Sequence, residues 1–335
     1  LSADHGEGST TPSVSALDGV RYQLLGSRGN GVATRAVLPD SEHAELTGAS
    51  FTTCDIGDPQ WEFRAREMHL DQSTGIGRAK DVTFRFGDVP ILWLPFARFP
   101  LDDRRVSGFL YPEAGYSERR GFDIALPYYL NLAPNYDATL IPRLLTERGL
   151  MLGGEFRYLT NSSVGNLNFT YLPSDDKTGN DRGLFHLDNR TSLSPNWGLV
   201  ADVNNVSDKY CFEDFGRGLN QSAISLLGSR VYLEGRGRWW NASFGGDRYQ
   251  ITDPNIPESG EPYRRLPRAT FEGEHLLFAG FTGGIKSEFV AFSKSDAVEA
   301  KRGDFYPYLA LPLQAAGWFL RPVLGFCYTT YEIDR

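Results

Sequence analysis

Apolar and polar residues alternate with a period of two along most of this chain, and the alternation comes in two lengths. In the first hundred residues it is brief. Trp61-Glu62-Phe63-Arg64-Ala65 and Val82-Thr83-Phe84-Arg85-Phe86 read as half-buried strands, and SRGNG and STGIG read as glycine turns. From Gly121 the segments lengthen to about ten residues with short turns between them. They run FDIALPYYL (122–130), YDATLIPRLL (136–145), LGGEFRYL (152–159), NLNFTYL (166–172), LFHLDNRTSL (184–193), GLVADVNNV (198–206), ATFEGE (269–274) and IKSEFVAF (285–292). Helix formers never gather at i, i+3, i+4 over several turns, so the pattern predicts an all-β chain: a short-strand domain followed by a long-strand one.

Sorting the faces leaves two architectures open. In 136–145 Tyr136, Ala138, Leu140, Pro142 and Leu144 share one side, opposite Asp137, Thr139 and Arg143; in 166–172 Leu167, Phe169 and Tyr171 oppose Asn166, Asn168 and Thr170. A soluble sandwich turns the apolar side inward, whereas a membrane barrel turns it outward to lipid. The length and number of the strands favour the barrel. So do Tyr128, Tyr129, Tyr158, Tyr171, Trp197, Trp239 and Trp240, which cluster near strand ends as an interfacial girdle would.

Composition narrows the function. Of 335 residues 41% are hydrophobic and 23% charged, enough for a folded core, and the net charge of −8 with no basic stripe argues against a nucleic-acid partner. No apolar run approaches the ~18 residues of a transmembrane helix, which leaves a barrel untouched. The N-terminal residues carry neither an initiator Met nor a signal-peptide pattern, and LGFCYTTYEIDR stops inside an alternating run, so a fragment of a longer chain is expected. Cys54, Cys211 and Cys327 lie far apart with no zinc-ligand spacing. None of the histidines sits in a hydrolase or zinc-protease motif, TGIG at 74–77 leads into a strand instead of a helix, and the N-x-[ST] triplets read as polar strand faces and loops. No catalytic constellation, metal or cofactor is expected.

Several stretches, in order, resemble one family: ASFTTCD (49–55), VPILWLPFARFPLDDRRVSGFLYPEAGY (89–116), LPYYLNLAPNYDATLIPR (126–143), ERGLMLGGEFRYL (147–159) and YLPSDD (171–176), with VSDKYCFEDF (206–215) a weaker likeness. They are similar to the lipopolysaccharide-assembly protein family of Gram-negative outer membranes, densely over 49–176 and more thinly beyond. The resemblance implies a periplasmic β-jellyroll domain at 1–100, a junction at 101–119, and the first part of a large antiparallel transmembrane barrel at 120–335, roughly ten to twelve strands of the ~26 that such large barrels reach. It implies a transporter, not an enzyme, with lipopolysaccharide as cargo, a plug lipoprotein inside the barrel, a periplasmic bridge protein docking on the jellyroll, and outer-membrane lipid around the wall. The competing class is a secreted or surface β-sandwich that binds carbohydrate.

The resemblance also assigns residues. Pro127 and Pro142 match the prolines of the family's lateral gate, where a missing amide weakens the ladder. Cys54 matches a cysteine whose disulfide partner lies near the far C-terminus, outside this chain, while Cys211 and Cys327 match nothing. Trp61, Phe63, Val82, Phe84, Phe86, Ile91 and Leu92 are the candidates for an apolar groove for acyl chains. Asp102, Asp103, Arg104 and Arg105 fall in the junction, where adjacent carboxylates without a histidine read as salt-bridging residues that set an inter-domain angle.

Overall fold

A computed structural model describes residues 2–8, 15–24, 29–55, 59–101, 104–216 and 224–334. They form two compact units, one of Leu1–Tyr111 with Tyr128–Asn131, the other of Pro112–Pro127 with Leu132–Arg335. The all-β class expected from the alternation is what the chain adopts, and no helix among the described residues is long and apolar enough to cross a membrane.

The first unit is an antiparallel meander in chain order: β1 (His5–Gly8), β2 (Ser15–Leu24), β3 (Gly29–Leu38), β4 (His43–Phe51), β5 (Trp61–Asp71), β6 (Ile76–Phe86) and β7 (Val89–Pro100). Strands β5, β6 and β7 have 11, 11 and 12 residues, so the expectation of short strands is corrected. The alternation is brief there because pairing continues through charged positions, with Glu67 opposite Lys80 and His69 opposite Arg78, and cross-strand charges take over from apolar contacts. One face holds Val20, Ala33, Ala36, Leu46, Ala49, Ala65, Met68, Ala79 and Val82, all at 6% exposure or less. A single sheet buries one face that deeply by curling over it, and the preponderance of alanine lets facing backbones approach closely. Pro90, Pro95 and Pro100 all lie on β7, an edge strand of the sheet, which is where prolines are tolerated. A short strand β8 (Gly108–Phe109) pairs with Tyr128 and Tyr129.

The second unit is one long antiparallel ladder. It begins with β9 (Glu113–Ser117) and β10 (Gly121–Ala125), followed in sequence by β11 (Tyr128–Ala133) and β12 (Tyr136–Leu145). It continues through β13 (Gly149–Leu159), β14 (Ser163–Leu172), β15 (Arg182–Ser194), β16 (Trp197–Val206), β17 (Leu226–Arg236), β18 (Trp240–Ile251), β19 (Arg264–Leu276), β20 (Thr282–Ser293) and β21 (Glu299–Ala310). Short strands between Leu313 and Asp334 follow, and the sheet remains open, with β9 at one edge. The predicted strand 136–145 is β12 residue for residue. The predicted strand 122–130 is instead interrupted at Leu126–Pro127, because proline cannot continue the ladder on its amide side.

Burial decides between the two architectures. On β12 Asp137, Thr139 and Arg143 are buried, while Leu140 and Leu144 are 42% and 46% exposed. The same inversion recurs at Leu152, Phe244, Phe289 and Phe305, all exposed. A water-soluble sandwich has no reason to present such a series of apolar side chains outward while burying acids and arginines. A barrel wall in lipid does both. The connections 160–162, 195–196 and 237–239 are tight at one end, whereas the other end carries the long 173–181, 207–225 and 252–263 beside the shorter 146–148 and 294–298.

Candidate functional site

The pairing of β10 with β12, which β11 continues beyond Pro127, is asymmetric. Registers Asp123↔Leu145, Ile124↔Leu144 and Ala125↔Arg143 bring β10 against β12. One step on, the Leu126 amide donates to the Pro142 carbonyl at 3.1 Å. In a hydrogen-bonded antiparallel pair the two residues exchange two such bonds; here the return bond is missing because Pro142 has no N–H. Pro127 follows directly, and since amides alternate in direction along a strand, the donor it lacks is on the edge away from β12. Pro142 is exposed on the outer side and Pro127 is buried.

At its other end the same pairing is held tightly. The Thr146 amide donates to the Phe122 carbonyl at 3.0 Å, and the Phe122 amide to Thr146 Oγ1 at 2.9 Å. Gly121 makes the turn at φ +70°, where a Cβ would come within 2.2 Å of Thr146 Oγ1. Inside the wall Arg143 grips Asp123 through two bonds, Nε to Oδ1 at 2.6 Å and Nη2 to Oδ2 at 2.5 Å.

Around this end lies a buried ion cluster built on the connection between β16 and β17. That connection contains a one-turn helix, α1 (Cys211–Phe215). Cys211, Phe212 and Phe215 cover Leu145, Met151, Leu172 and Val206, which face inward at the long-loop ends of their strands. Asp214 receives Arg148 Nη2 at 2.6 Å on one oxygen and Arg182 Nη1 at 2.6 Å on the other. Asp175, fully buried, receives Arg148 at 2.7 Å and Arg182 at 3.1 Å. Both guanidiniums lie over the Phe215 ring, at 5.2 and 4.7 Å from its centroid. Burial works to raise the Asp175 carboxyl, but the Lys177 amide and the two arginines outweigh it and hold it below the usual carboxylate range. Burial pushes the Cys211 thiol up to about 11. Sequence reasoning missed this cluster, although Arg148, Asp175 and Asp214 lie in stretches singled out for other reasons, ERG, SDD and the acids of CFEDF; Arg182 lies in none of them.

Beyond the cluster the inward face is a polar ladder. His186 Nδ1 meets Asn204 Oδ1 at 2.7 Å, Arg265 pairs with Asp247 at 2.7 Å, Arg268 pairs with Glu288 at 2.7 Å, and Tyr232 donates to Asp247 at 2.5 Å. On the outward face aromatic rings line the short-turn end. Trp197 and Trp240 are 5.5 Å apart, Trp240 stacks on Phe271 at 6.5 Å, and Phe156 bridges Tyr136 and Tyr158 at 6.3 and 6.0 Å. Of the residues expected in the girdle, Tyr158, Trp197 and Trp240 fall there, Trp239 lies in the adjoining turn, and Tyr171 lies at the opposite end of β14. Tyr128 packs on Phe109 at 4.9 Å, and Tyr129 is opposite Gly108; both belong to the first unit.

In the first unit most groove candidates converge on one end of the sheet's inner face. Trp61 lies opposite Phe86, Phe63 opposite Phe84, and Phe84 opposite Leu92. Ring centroids are 4.9 Å apart for Phe63 and Phe84 and 6.1 Å for Trp61 and Phe84, with Phe51 and Tyr111 also touching Trp61. Trp61, Phe63, Phe84 and Leu92 are half-buried and Phe86 is 59% exposed, so the aromatic end is open. Val82 is instead part of the closed core, and Ile91 sits exposed at a register irregularity, opposite no β6 residue. Cys54 lies just past β4, half-buried and free among the described residues, its carbonyl accepting from Asn30 at 2.8 Å. Its hydrogen bonds to Thr52 and the Trp61 backbone hold its thiol below the usual range, which favours thiolate chemistry. Asp102 and Asp103 lie outside the described residues. Arg104 donates to the Thr74 carbonyl in the β5–β6 turn, and the Arg105 carbonyl accepts from Asn131 at 2.7 Å.

An open antiparallel wall with lipid-facing leucine and phenylalanine, a polar inner face and an aromatic rim defines a transmembrane β-barrel portion, and a curled β-domain precedes it in the chain. Comparison with known proteins agrees with that class. The family described as LPS transport system D matches residues 180–335, and that described as LptD protein matches 79–232. The chain is 38% identical to the LPS-assembly protein LptD of Xylella fastidiosa strain 9a5c over 99% of its own length and 44% of that protein. It is 36% identical to the LptD of Xanthomonas oryzae pv. oryzae over 99% of its length and 45% of that protein. It belongs to the LptD family, a family of lipopolysaccharide transport and assembly and not of enzymes. The chain spans somewhat under half the length of these relatives, and the likeness extends well past residue 176, where sequence inspection saw it thin.

Proposed function

We propose that this chain is part of an outer-membrane lipopolysaccharide translocon: the first unit receives the glycolipid from a periplasmic bridge protein, and the barrel releases it sideways into the outer leaflet. The observation that carries the reading is the pairing of two features in one chain. One is an apolar trough open at an aromatic end; the other is a lipid-facing wall near whose start Pro142 removes a ladder bond to β10 and Pro127 removes a donor on the opposite edge of its strand. A trough lined by Trp61, Phe63, Phe84, Phe86 and Leu92 suits acyl chains, each methylene removed from water contributing about 0.8 kcal/mol. The polar inner ladder suits sugars, and a lipoprotein filling the lumen would complete it. The short turns correspond to the periplasmic end and the long loops to the outside, as in other outer-membrane barrels.

Placing a photo-crosslinking residue at Phe86 and, separately, at Val82 of the full-length protein in cells tests the groove. Lipopolysaccharide adducts are expected at the open Phe86 position and not at the closed Val82 position. Equal adducts at both, or none at Phe86, would overturn the assignment.

A further inference from the structure

We propose that the outer face of β7 is a membrane-docking edge of the first unit: Val89, Ile91, Trp93 and Phe96 insert among the acyl chains of the phospholipid leaflet on the short-turn side of the wall, and Arg78 and Arg98 reach its phosphates. This surface is distinct from the apolar trough, which lies on the opposite face of the same sheet.

The two faces of β7 are both apolar, for different reasons. Leu94 and Ala97 pack on the core beside Val82 and Ala79, their partners on β6. The residues between them turn the other way, and Val89, Ile91, Trp93 and Phe96 are 63%, 56%, 59% and 72% exposed. From Val89 to Phe96 this stripe runs roughly 25 Å. The outer face of the neighbouring strands is polar. Across from Trp93 come Thr83 and then Arg64, across from Phe96 come Lys80 and then Glu67, and across from Arg98 come Arg78 and then His69. A water-facing edge strand is ordinarily guarded by charge, whereas β7 confines bulky apolar side chains to that edge. Its interior prolines, Pro90 and Pro95, make it a poor template for an added protein strand, so the stripe suits a partner that needs no ladder.

Two observations name lipid as that partner. The first is continuity with the lipid-facing wall. Tyr128–Asn131 belong to the first unit, although Pro127 before them and Leu132 after them belong to the second. β8 pairs with Tyr128 and Tyr129, and Gly108 of β8 lies so close to β7 that a Cβ there would stand 3.0 Å from the Arg98 carbonyl. Through β8 the chain itself ties this edge of the first unit to a strand of the wall, whatever the angle between the units. The second is charge. Arg78 and Arg98 are exposed beside the stripe, while the acids of the same face, Glu67 on β5 and Glu45 on β4, stand further from the edge. Rings that sit at headgroup level with long cationic side chains reaching phosphate are how protein surfaces hold to a bilayer interface.

The test uses the full-length protein with a fluorescent amino acid in place of Trp93 or, as the charged-face control, of His69. Both positions are exposed, so neither replacement disturbs the core. The protein is reconstituted in nanodiscs of phosphatidylethanolamine and phosphatidylglycerol without lipopolysaccharide. Brominated acyl chains are expected to quench the probe at 93 at least ~threefold more than the probe at 69, and aqueous iodide to do the reverse. Adding Ile91→Ser and Phe96→Ser should lower the lipid quenching at 93 about twofold or more, since each removes a neighbouring anchor. Iodide quenching at 93 as strong as at 69 puts the stripe in water and overturns the proposal. Protection at 93 from both quenchers means that protein covers the stripe, which also overturns it. Lipid quenching that needs added lipopolysaccharide would make the stripe a cargo surface and overturn it likewise. The transport reading fails separately, through the adducts at Phe86 and Val82, and its failure leaves this result unchanged.

Discussion

Replacing Pro142 by alanine gives β12 a backbone amide directed at β10, where the native chain has none. The Leu126 amide already reaches the Pro142 carbonyl at 3.1 Å, so the partner strand stands at bonding distance and the return bond to the Leu126 carbonyl needs no rearrangement. Pro142 is exposed on the outward face, so truncating its ring removes little packing. One added hydrogen bond contributes about 0.5–1.5 kcal/mol net, which lowers the population locally opened at Leu126 and Pro142 roughly two- to tenfold. Two assays read it. Residue-resolved exchange should slow at Leu126 by that factor, and cells relying on Pro142→Ala protein should admit bulky antibiotics more readily because less lipopolysaccharide reaches the surface. Unchanged exchange at Leu126 would refute the missing-bond argument; slowed exchange with normal export would refute the gate.

Pro127→Ala should act the same way on the opposite edge of the strand, impairing export, and an unchanged permeability phenotype would count against it. Phe289→Arg places a charge on the outward face near mid-strand and should cost about 2–4 kcal/mol of stability in lipid vesicles, whereas Asn168→Arg on the inner face should cost far less; equal effects would contradict the inverted wall. Cys211, buried with its thiol raised to about 11, should resist maleimide at neutral pH in the full-length protein and become reactive in Arg119→Gln, which loses the Arg119–Glu213 pair on α1, as located by peptide mass spectrometry. Labelling of Cys211 in the unmodified protein as fast as at the exposed Cys327 would argue that α1 is not docked. Non-reducing mass spectrometry of the full-length protein should find Cys54 bridged to a cysteine beyond residue 335, and a Cys54–Cys211 bridge would contradict that.

The strands were the most legible part of the fold. Alternation has the period of the pleat, so 136–145 matched β12 to the residue, and the prolines of 127 and 142 carried their own physical meaning, a missing donor, wherever the chain placed them. The stretch FPLDDRRVSGFLYP was less so. Its acids drew attention by their adjacency, but Arg104 is engaged with the Thr74 carbonyl, and the dense carboxylate–arginine chemistry lies elsewhere, on Asp175, Asp214, Arg148 and Arg182. Those four come from three different connections and one strand, and nothing local in ERG, SDD or FEDF says that they meet.

By itself the sequence determined that this chain is all-β, that its later strands are long and two-faced, and that two prolines remove backbone donors from the first of them. Those properties follow from the side-chain period and from backbone donors, which are local. It left open which face of each strand meets water, lipid or a core, because alternation is the same for a sandwich and a barrel. Only the tertiary structure decided that, by burying Asp137 and Arg143 while exposing Leu140 and Leu144. It also decided which charges are neighbours, since a loop after β16 meets the turn before β10 only when the wall curves round to bring them together.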